Sequence, residues 1–485
     1  MTDTVREGGA ERAAAVRPVR PFLSLLVASG GFVIVLDSFA AAVAFPRIEE
    51  AFASTPRSTL AWLSSGYSIA LAALLLVAGK LGDSYGRRRV FLVGMAGFML
   101  GALASAAAPS PVILITARVL QGCFGAMMVS TSIALAIQEY PPERRGVAMG
   151  WVGVMGSIAS LVGPVAAGSI LEYGGSWRWA FLVSVPVGAA VLLAGPRVLR
   201  EIRPAEHVEP IDLVGVVLVT ASSGLLTYGI IQSGAWGWGS GRTLGVLVAA
   251  VTLGVAFVVR CRTAAAPLLS FELFHQRPFL VATVSQLGSQ MSIFALFFWL
   301  PLFLTNVWDW SPSGVGWVVA IPLVISMISL PVGRFADRHG YRMPLVVGGF
   351  VGAAAMAWFA FAAGSTSDFG GALVPGLALF GVGIGLIGIT AAAAALAGLE
   401  AQELATANAV FQASRRIVQT LGVAVVVAIL GDRTNESLAA FRRVWWVCAV
   451  GFVASSLVAL WYPSTRRAPA TRPGGRASDG SVPVR

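Results

Sequence analysis

Long apolar runs alternate with short polar connectors along almost the whole chain. A helix needs about 20 apolar residues to cross the hydrocarbon of a bilayer. On that criterion the sequence predicts fourteen spans: 22–46, 58–79, 90–109, 111–137, 146–171, 178–199, 211–232, 243–261, 279–305, 313–333, 343–363, 371–398, 406–431 and 441–463. The expected fold class is therefore an all-α integral membrane protein with fourteen transmembrane helices. An even number of crossings returns both ends of the chain to one side.

Charge sharpens this picture. The 485 residues are 56% hydrophobic and only 12% charged, and the formal net charge is +11. A basic stripe on one domain would indicate nucleic acid. Here the arginines recur in bursts between apolar runs, so no nucleic-acid partner is expected. With the tails in the cytoplasm, most of the 34 basic residues fall on the cytoplasmic side. The exceptions are Arg118, inside a span, and Arg47, Arg57, Arg178, Arg242, Arg433, Arg442 and Arg443 outside, so the positive-inside rule holds. Several tryptophans, Trp177, Trp179, Trp238 and Trp308 among them, fall near the outer ends and read as interfacial anchors. Cys123, Cys261 and Cys448 lie far apart, and His207, His275 and His339 fall in connectors, so neither a metal site nor catalysis is expected. No GxxxxGK[ST] loop is present, and no cofactor is called for. A single lysine among so many arginines points to a GC-rich bacterial genome, and hence to the bacterial inner (plasma) membrane.

The stretch "GKLGDSYGRRR", residues 79–89, is echoed by "GRFADRHGYR", residues 333–342. Each follows the second span of a six-span group, and spans 1 and 9 start at nearly the same offset. Spans 1–6 and 9–14 therefore read as parallel repeats, with spans 7 and 8 an inserted pair. The expected organisation is a cytoplasmic tail (1–21), a six-helix bundle (22–199), a linker with the inserted helices (200–262), a second six-helix bundle (263–463) and a disordered cytoplasmic tail (464–485).

These motifs resemble those of the major facilitator superfamily, and specifically its fourteen-helix drug/proton antiporter branch. "GKLGDSYGRRR" is similar to the family's cytoplasmic loop signature, "RVLQGCFGA" (118–126) to its fourth-helix arginine motif, and "GSIASLVGPVAAG" (156–168) to its fifth-helix antiporter motif. "LDSFAAAVAFP" (36–46) and "SWRWAFLVSVPVG" (176–188) resemble first- and sixth-helix motifs of the branch. The resemblance implies a latch at Gly79, Lys80, Asp83, Gly86, Arg87 and Arg88, engaging the start of span 13, with Gly82 also serving the turn. A symmetric copy is implied at Gly333, Arg334, Asp337, Gly340 and Arg342. It also implies that Gly156, Gly163, Pro164 and Gly168 keep span 5 closely packed against leak. Two departures stand out: Phe39 and Ala42 replace polar residues usual after the first-helix aspartate, and the fifth-helix motif ends Ala167-Gly168 instead of Gly-Gly.

Asp37 is the one acid well within a predicted span, and Arg118 the one base deep in one. Intramembrane charges are costly and mark function. At about 1.5 Å per residue, Asp37 lies roughly 24 Å from the cytoplasmic start of span 1, and Arg118 about 10 Å from the outer start of span 4. In a core of about 30 Å these depths are similar. A carboxylate balanced between desolvation and a neighbouring guanidinium can load and release a proton, so the two are expected to form a switchable, proton-coupling pair. With no further acids deep in later spans, neutral or weakly charged cargo is expected over dications.

Gln286, Gln290, Phe294 and Phe298 on span 9, with Phe297 and Trp299 beside them, suit a bulky amphipathic ligand; the alternative for the two amides is hydrogen bonding between helices. Asn408, Gln412, Arg415 and Gln419 form a polar stripe on span 13. Arg415 and Arg416 are expected to snorkel to the cytoplasm; the alternatives are an anionic substrate or the latch. The functional expectation is proton-coupled efflux of hydrophobic or amphipathic drug-like compounds, by a monomer whose partners are the substrate, protons and membrane lipid. The alternatives are a dedicated exporter of one native lipid or antibiotic-like product, and a non-transporting membrane sensor or scaffold.

Overall fold

The computed structural model describes residues 21–138, 145–201, 212–264, 272–328, 332, 335–336, 338–399, 404–431 and 437–463. The predicted tails 1–21 and 464–485 therefore lie, save for residue 21, outside the described residues.

Fourteen apolar helices appear in the predicted order. They are α1 (Pro21–Ala51), α2 (Trp62–Tyr85), α3 (Arg87–Ala107), α4 (Pro111–Gln138), α5 (Arg145–Gly174), α6 (Val185–Val198), α7 (Leu213–Trp236), α8 (Gly241–Thr263), α9 (Arg277–Asn306), α10 (Pro312–Ile325), α11 (Arg342–Ala362), α12 (Val374–Leu396), α13 (Leu404–Leu430) and α14 (Leu438–Ala459). Thirteen segments are long and apolar enough to cross a membrane, and α10 is a shorter apolar helix that continues as a 3-10 turn, Ser326–Ile328. The chain is a multi-pass membrane protein. We call the end of the bundle where α1 begins proximal, and the opposite end distal.

Several elements depart from the predicted runs for local reasons. A single turn, Arg57–Leu60, precedes α2, with Pro56 at its N-cap. The sixth span is broken into Arg178–Leu182 and α6, which restarts with Pro186 in its first turn, where a missing N–H costs nothing. A π-helical turn, Phe369–Leu373, opens the twelfth span. α2 runs six residues beyond its predicted end, so Gly79, Lys80, Gly82 and Asp83 sit on helix and not in a turn. The turn is confined to Gly86, whose φ of +96° belongs to the left-handed region that glycine tolerates. Gly340, its counterpart in the second copy, has φ +97°. The sequence echo is thus also a backbone echo.

The repeat extends to helix packing. α1 lies on α5 as α9 lies on α13, with Gly163 against the Leu36 carbonyl and Gly422 against the Met291 carbonyl. α2 meets α4 as α10 meets α12, through Gly122 against the Tyr67 carbonyl and Gly381 against the Pro322 carbonyl. Such glycines let backbones touch where lipid provides no hydrophobic drive. The inserted pair packs chiefly on itself, α7 against α8, and α7 also rests on α2 and α13. Gly234 abuts the Ala428 carbonyl, and the hydroxyls of Thr227 and Thr420 are 3.3 Å apart. At the proximal end Asp212 caps α7 and accepts from Arg260 Nε of α8 at 3.1 Å. α8 presents Leu244, Val248, Val251, Val255 and Val259 outward, as a lipid-facing helix should. Of the tryptophans read as anchors, Trp179 and Trp238 are exposed. Trp177 and Trp308 are instead buried, and Trp308 donates to the Gly364 carbonyl.

Candidate functional site: a charged cavity between the two bundles

A cavity of about 210 Å³ lies between the bundles near mid-span. The first bundle lines it from α1 (Val35, Ser38, Phe39, Ala42), α2 (Ser64, Tyr67, Ser68), α4 (Arg118) and α5 (Ser160). The second bundle contributes Gln290, Phe294, Phe297 and Phe298 from α9, and Arg415, Arg416, Gln419, Thr420 and Val423 from α13.

Asp37 and Arg118 meet beside this cavity. Both are 1% exposed, and Arg118 Nη1 donates to Asp37 Oδ2 at 2.5 Å. Gln121, one helical turn further along α4, completes a closed triangle. Its Oε1 accepts from Arg118 Nη1 at 2.7 Å and its Nε2 donates to Asp37 Oδ1 at 3.0 Å. Arg118 Nε reaches the Leu63 carbonyl at 3.3 Å, and the guanidinium lies 4.4 Å from the Tyr67 ring centroid. Both carboxylate oxygens are thereby satisfied, which a buried ion pair requires. Asp37 itself does not face the cavity; Arg118 stands between them. Gln121 was not singled out from sequence, although its i, i+3 spacing from Arg118 on one helix was the available signal.

Of the other candidates, Gln290, Phe294 and Phe298 line the cavity, while Gln286, Asn408 and Gln412 do not. Gln286 is buried and donates to the Phe411 carbonyl at 3.3 Å, which ties α9 to α13. Trp299 points the other way, into an aromatic core with Phe359 and Trp445. Arg415 and Arg416 correct the snorkelling expectation: both side chains turn into the cavity, because their stretch of α13 faces the first bundle and not lipid.

The loop motif is occupied within its own bundle. Asp83 accepts from Arg87 Nε and Nη2 at 3.0 and 2.8 Å. Glu201, which follows α6, accepts from the Arg88 backbone N–H at 3.0 Å and so serves the N-terminus of α3. Arg88 also donates to the Pro196 carbonyl. Gly79 faces open space, and a Cβ at Gly82 would come 2.9 Å from Thr131 Cγ2. The Lys80 carbonyl accepts from the Ser84 hydroxyl. In the second copy, Gly340 and Arg342 flank the start of α11. Gly333, Arg334 and Asp337 lie outside the described residues, as do residues 400–403 just before α13.

At the distal end the bundles close over the cavity. Phe39 packs on Phe297 and Phe45 on Phe298, with centroids 4.9 and 4.6 Å apart. Gly168 on α5 abuts Pro312 and Gly316 on α10, and Gly316 abuts the Pro164 carbonyl. Ser313 N–H donates to Glu172 Oε2 at 3.1 Å. Arg57, buried and held by Glu49 at 2.6 and 3.1 Å, reaches the Gly431 carbonyl at 3.4 Å. Glu49 is a second buried acid of α1, missed because the predicted span stops at residue 46. Gly156 has no neighbour within 4 Å of a Cβ, and its carbonyl accepts from Ser160.

Two related helical bundles around one cavity, with a buried ion pair beside it and a closed seal at one end, define the architecture of a secondary transporter. The sequence model of the Major Facilitator Superfamily matches residues 27–305 and again 279–484, and the chain belongs to that family. It is 33% identical over 423 residues to the tetracenomycin C resistance and export protein of Streptomyces glaucescens, covering 86% of this chain and 77% of that one. It is 32% identical over 394 residues to the multidrug resistance protein B homolog of Mycobacterium tuberculosis, covering 80% and 72%. Among solved structures, a peptide transporter in complex with sulfate has the same fold, with a TM-score of 0.67 at 13% identity over 90% of this chain and 93% of that one.

Proposed function

We propose that the protein exports hydrophobic or amphipathic compounds in exchange for protons, by alternating access in a bacterial inner membrane. The observation that carries this reading is the Asp37–Arg118–Gln121 triangle set directly behind the cavity wall. Arginine does not deprotonate, so it serves as the fixed charge and Asp37 as the proton carrier. Protonation of Asp37 would release Arg118 towards the cavity it lines, and that links proton arrival to the contents of the cavity. The bundles at 22–199 and 263–463 rock about this site as a monomer. The distal seal is the closed gate, and the loop motifs at 79–89 and 333–342 are the latches of the opposite state. On this reading the proximal end and both tails are cytoplasmic, because the predicted topology puts most arginines on that side.

The relatives named for drug or antibiotic resistance support the export reading. A narrower reading, export of one native product, is favoured by the similarity to an exporter named for a single antibiotic. Both readings are tested in an efflux-deficient bacterial host that expresses the chain and is loaded with a panel of lipophilic fluorescent dyes. Extrusion that a protonophore abolishes is the expected result. Retention of every dye overturns the broad reading in favour of the narrow one.

A further inference from the structure

The charges around the cavity do not balance. Arg118 is neutralised by Asp37, and the amide of Gln121 completes that set. Arg415 and Arg416 face the same cavity from α13, and no acidic residue lines it. Among the described residues neither guanidinium has an ion-pair partner, and Arg415 Nε is buried with no acceptor at all. Of the neighbouring amides, Gln419 Nε2 donates to Gln290 Oε1 at 3.0 Å, and Gln419 Oε1 is itself buried without a donor. Both arginines are half-buried, and adjacent like charges with part of their hydration removed are costly unless something pairs with them. Four phenylalanines, Phe39, Phe294, Phe297 and Phe298, share the wall with the pair, beside hydroxyl and aliphatic side chains.

We propose that the cavity binds a compact aromatic anion. A carboxylate, sulfonate or phosphate would be held by the forked donors of Arg415 and Arg416, and the rings would lie among the phenylalanines. Arginine suits this role because its donors match a planar or tetrahedral oxyanion two at a time. A dication meets two positive charges and is rejected. This names the cargo class of the site proposed above and rests on that reading only for the word cargo; binding itself does not depend on transport.

The test is a fluorescence titration of the full chain in phosphatidylcholine nanodiscs with three probes that share one aromatic body: 1-pyrenebutyrate, 1-pyrenebutanol and a pyrenebutyl trimethylammonium. The wild type is expected to bind the anion at least about tenfold more tightly than the alcohol, the margin of one charged hydrogen bond, and the cation most weakly. The paired substitution Arg415→Gln and Arg416→Gln is expected to erase that margin, with the alcohol reporting whether the cavity is intact. Arg415→Lys with Arg416→Lys is expected to keep most of it. Equal binding of the three probes by the wild type, or a margin that survives the glutamine pair, overturns the inference. Displacement of pyrenebutyrate by added phosphatidylglycerol assigns the arginines to a lipid headgroup and also overturns it. An anion preference without dye extrusion by energised cells removes the broad export reading and leaves the anion site standing. Extrusion without the preference does the reverse.

Discussion

At the scale of single residues, the site depends on how completely one carboxylate is surrounded. Asp37 keeps a donor on each oxygen, and one of them is Gln121. Gln121→Leu removes that donor and also strips Arg118 of an acceptor. Leaving a buried polar group unmet costs about 1–3 kcal/mol, so the variant is expected to melt at a lower temperature than the wild type in a thermal unfolding assay. An unchanged melting temperature would mean that the triangle contributes nothing. Asp37 and Arg118 were legible in the sequence because a charge amid apolar residues stands out and their depths could be matched by counting. Gln121 was not, since an amide beside a known motif carries no such contrast. The reading of Arg415 and Arg416 failed for a related reason: distance along a helix does not say which way a side chain turns, and α13 faces a cavity at that level, not lipid.

At the scale of helices, periodicity and length were enough to place all fourteen elements. Their ends were not, because α2 continues through glycines and charges that look like a turn. Gly86 alone breaks the helix, and only its backbone angle reveals that. The close approach of α5 and α10 was half legible: the small residues of α5 were visible, their partners were not. A Cβ at Gly168 would collide with the Pro312 carbonyl. Gly168→Leu is therefore expected to force the two helices apart at a cost of about 1–3 kcal/mol and to weaken the distal seal. In a background where Cys123, Cys261 and Cys448 are replaced by alanine, a thiol introduced by Ser313→Cys should then react faster with a membrane-impermeant maleimide. The same rate with and without Gly168→Leu would show that this contact does not hold the seal.

At the scale of the whole molecule, the repeat was legible from one motif and its echo, and the packing extends it to whole helix pairs. Which way the cavity faces was not legible, since it depends on contacts between bundles distant in sequence. Alternating access requires the distal contacts to part once per cycle. Glu172→Cys with Ser313→Cys, in the same cysteine-free background and bridged by a short thiol-cleavable bifunctional reagent, is expected to stop transport, and reductant to restore it. Undiminished transport by the bridged protein would rule out opening at this gate.

The central claim is that Asp37 carries the proton that drives export. It is tested most directly in proteoliposomes, by comparing transport of a panel of lipophilic dyes by the wild type and by Asp37→Asn, with and without an imposed pH gradient. The account predicts that the gradient accelerates the wild type and has no effect on the variant, which still binds dye. A variant that continues to follow the gradient would place the proton elsewhere and contradict the account.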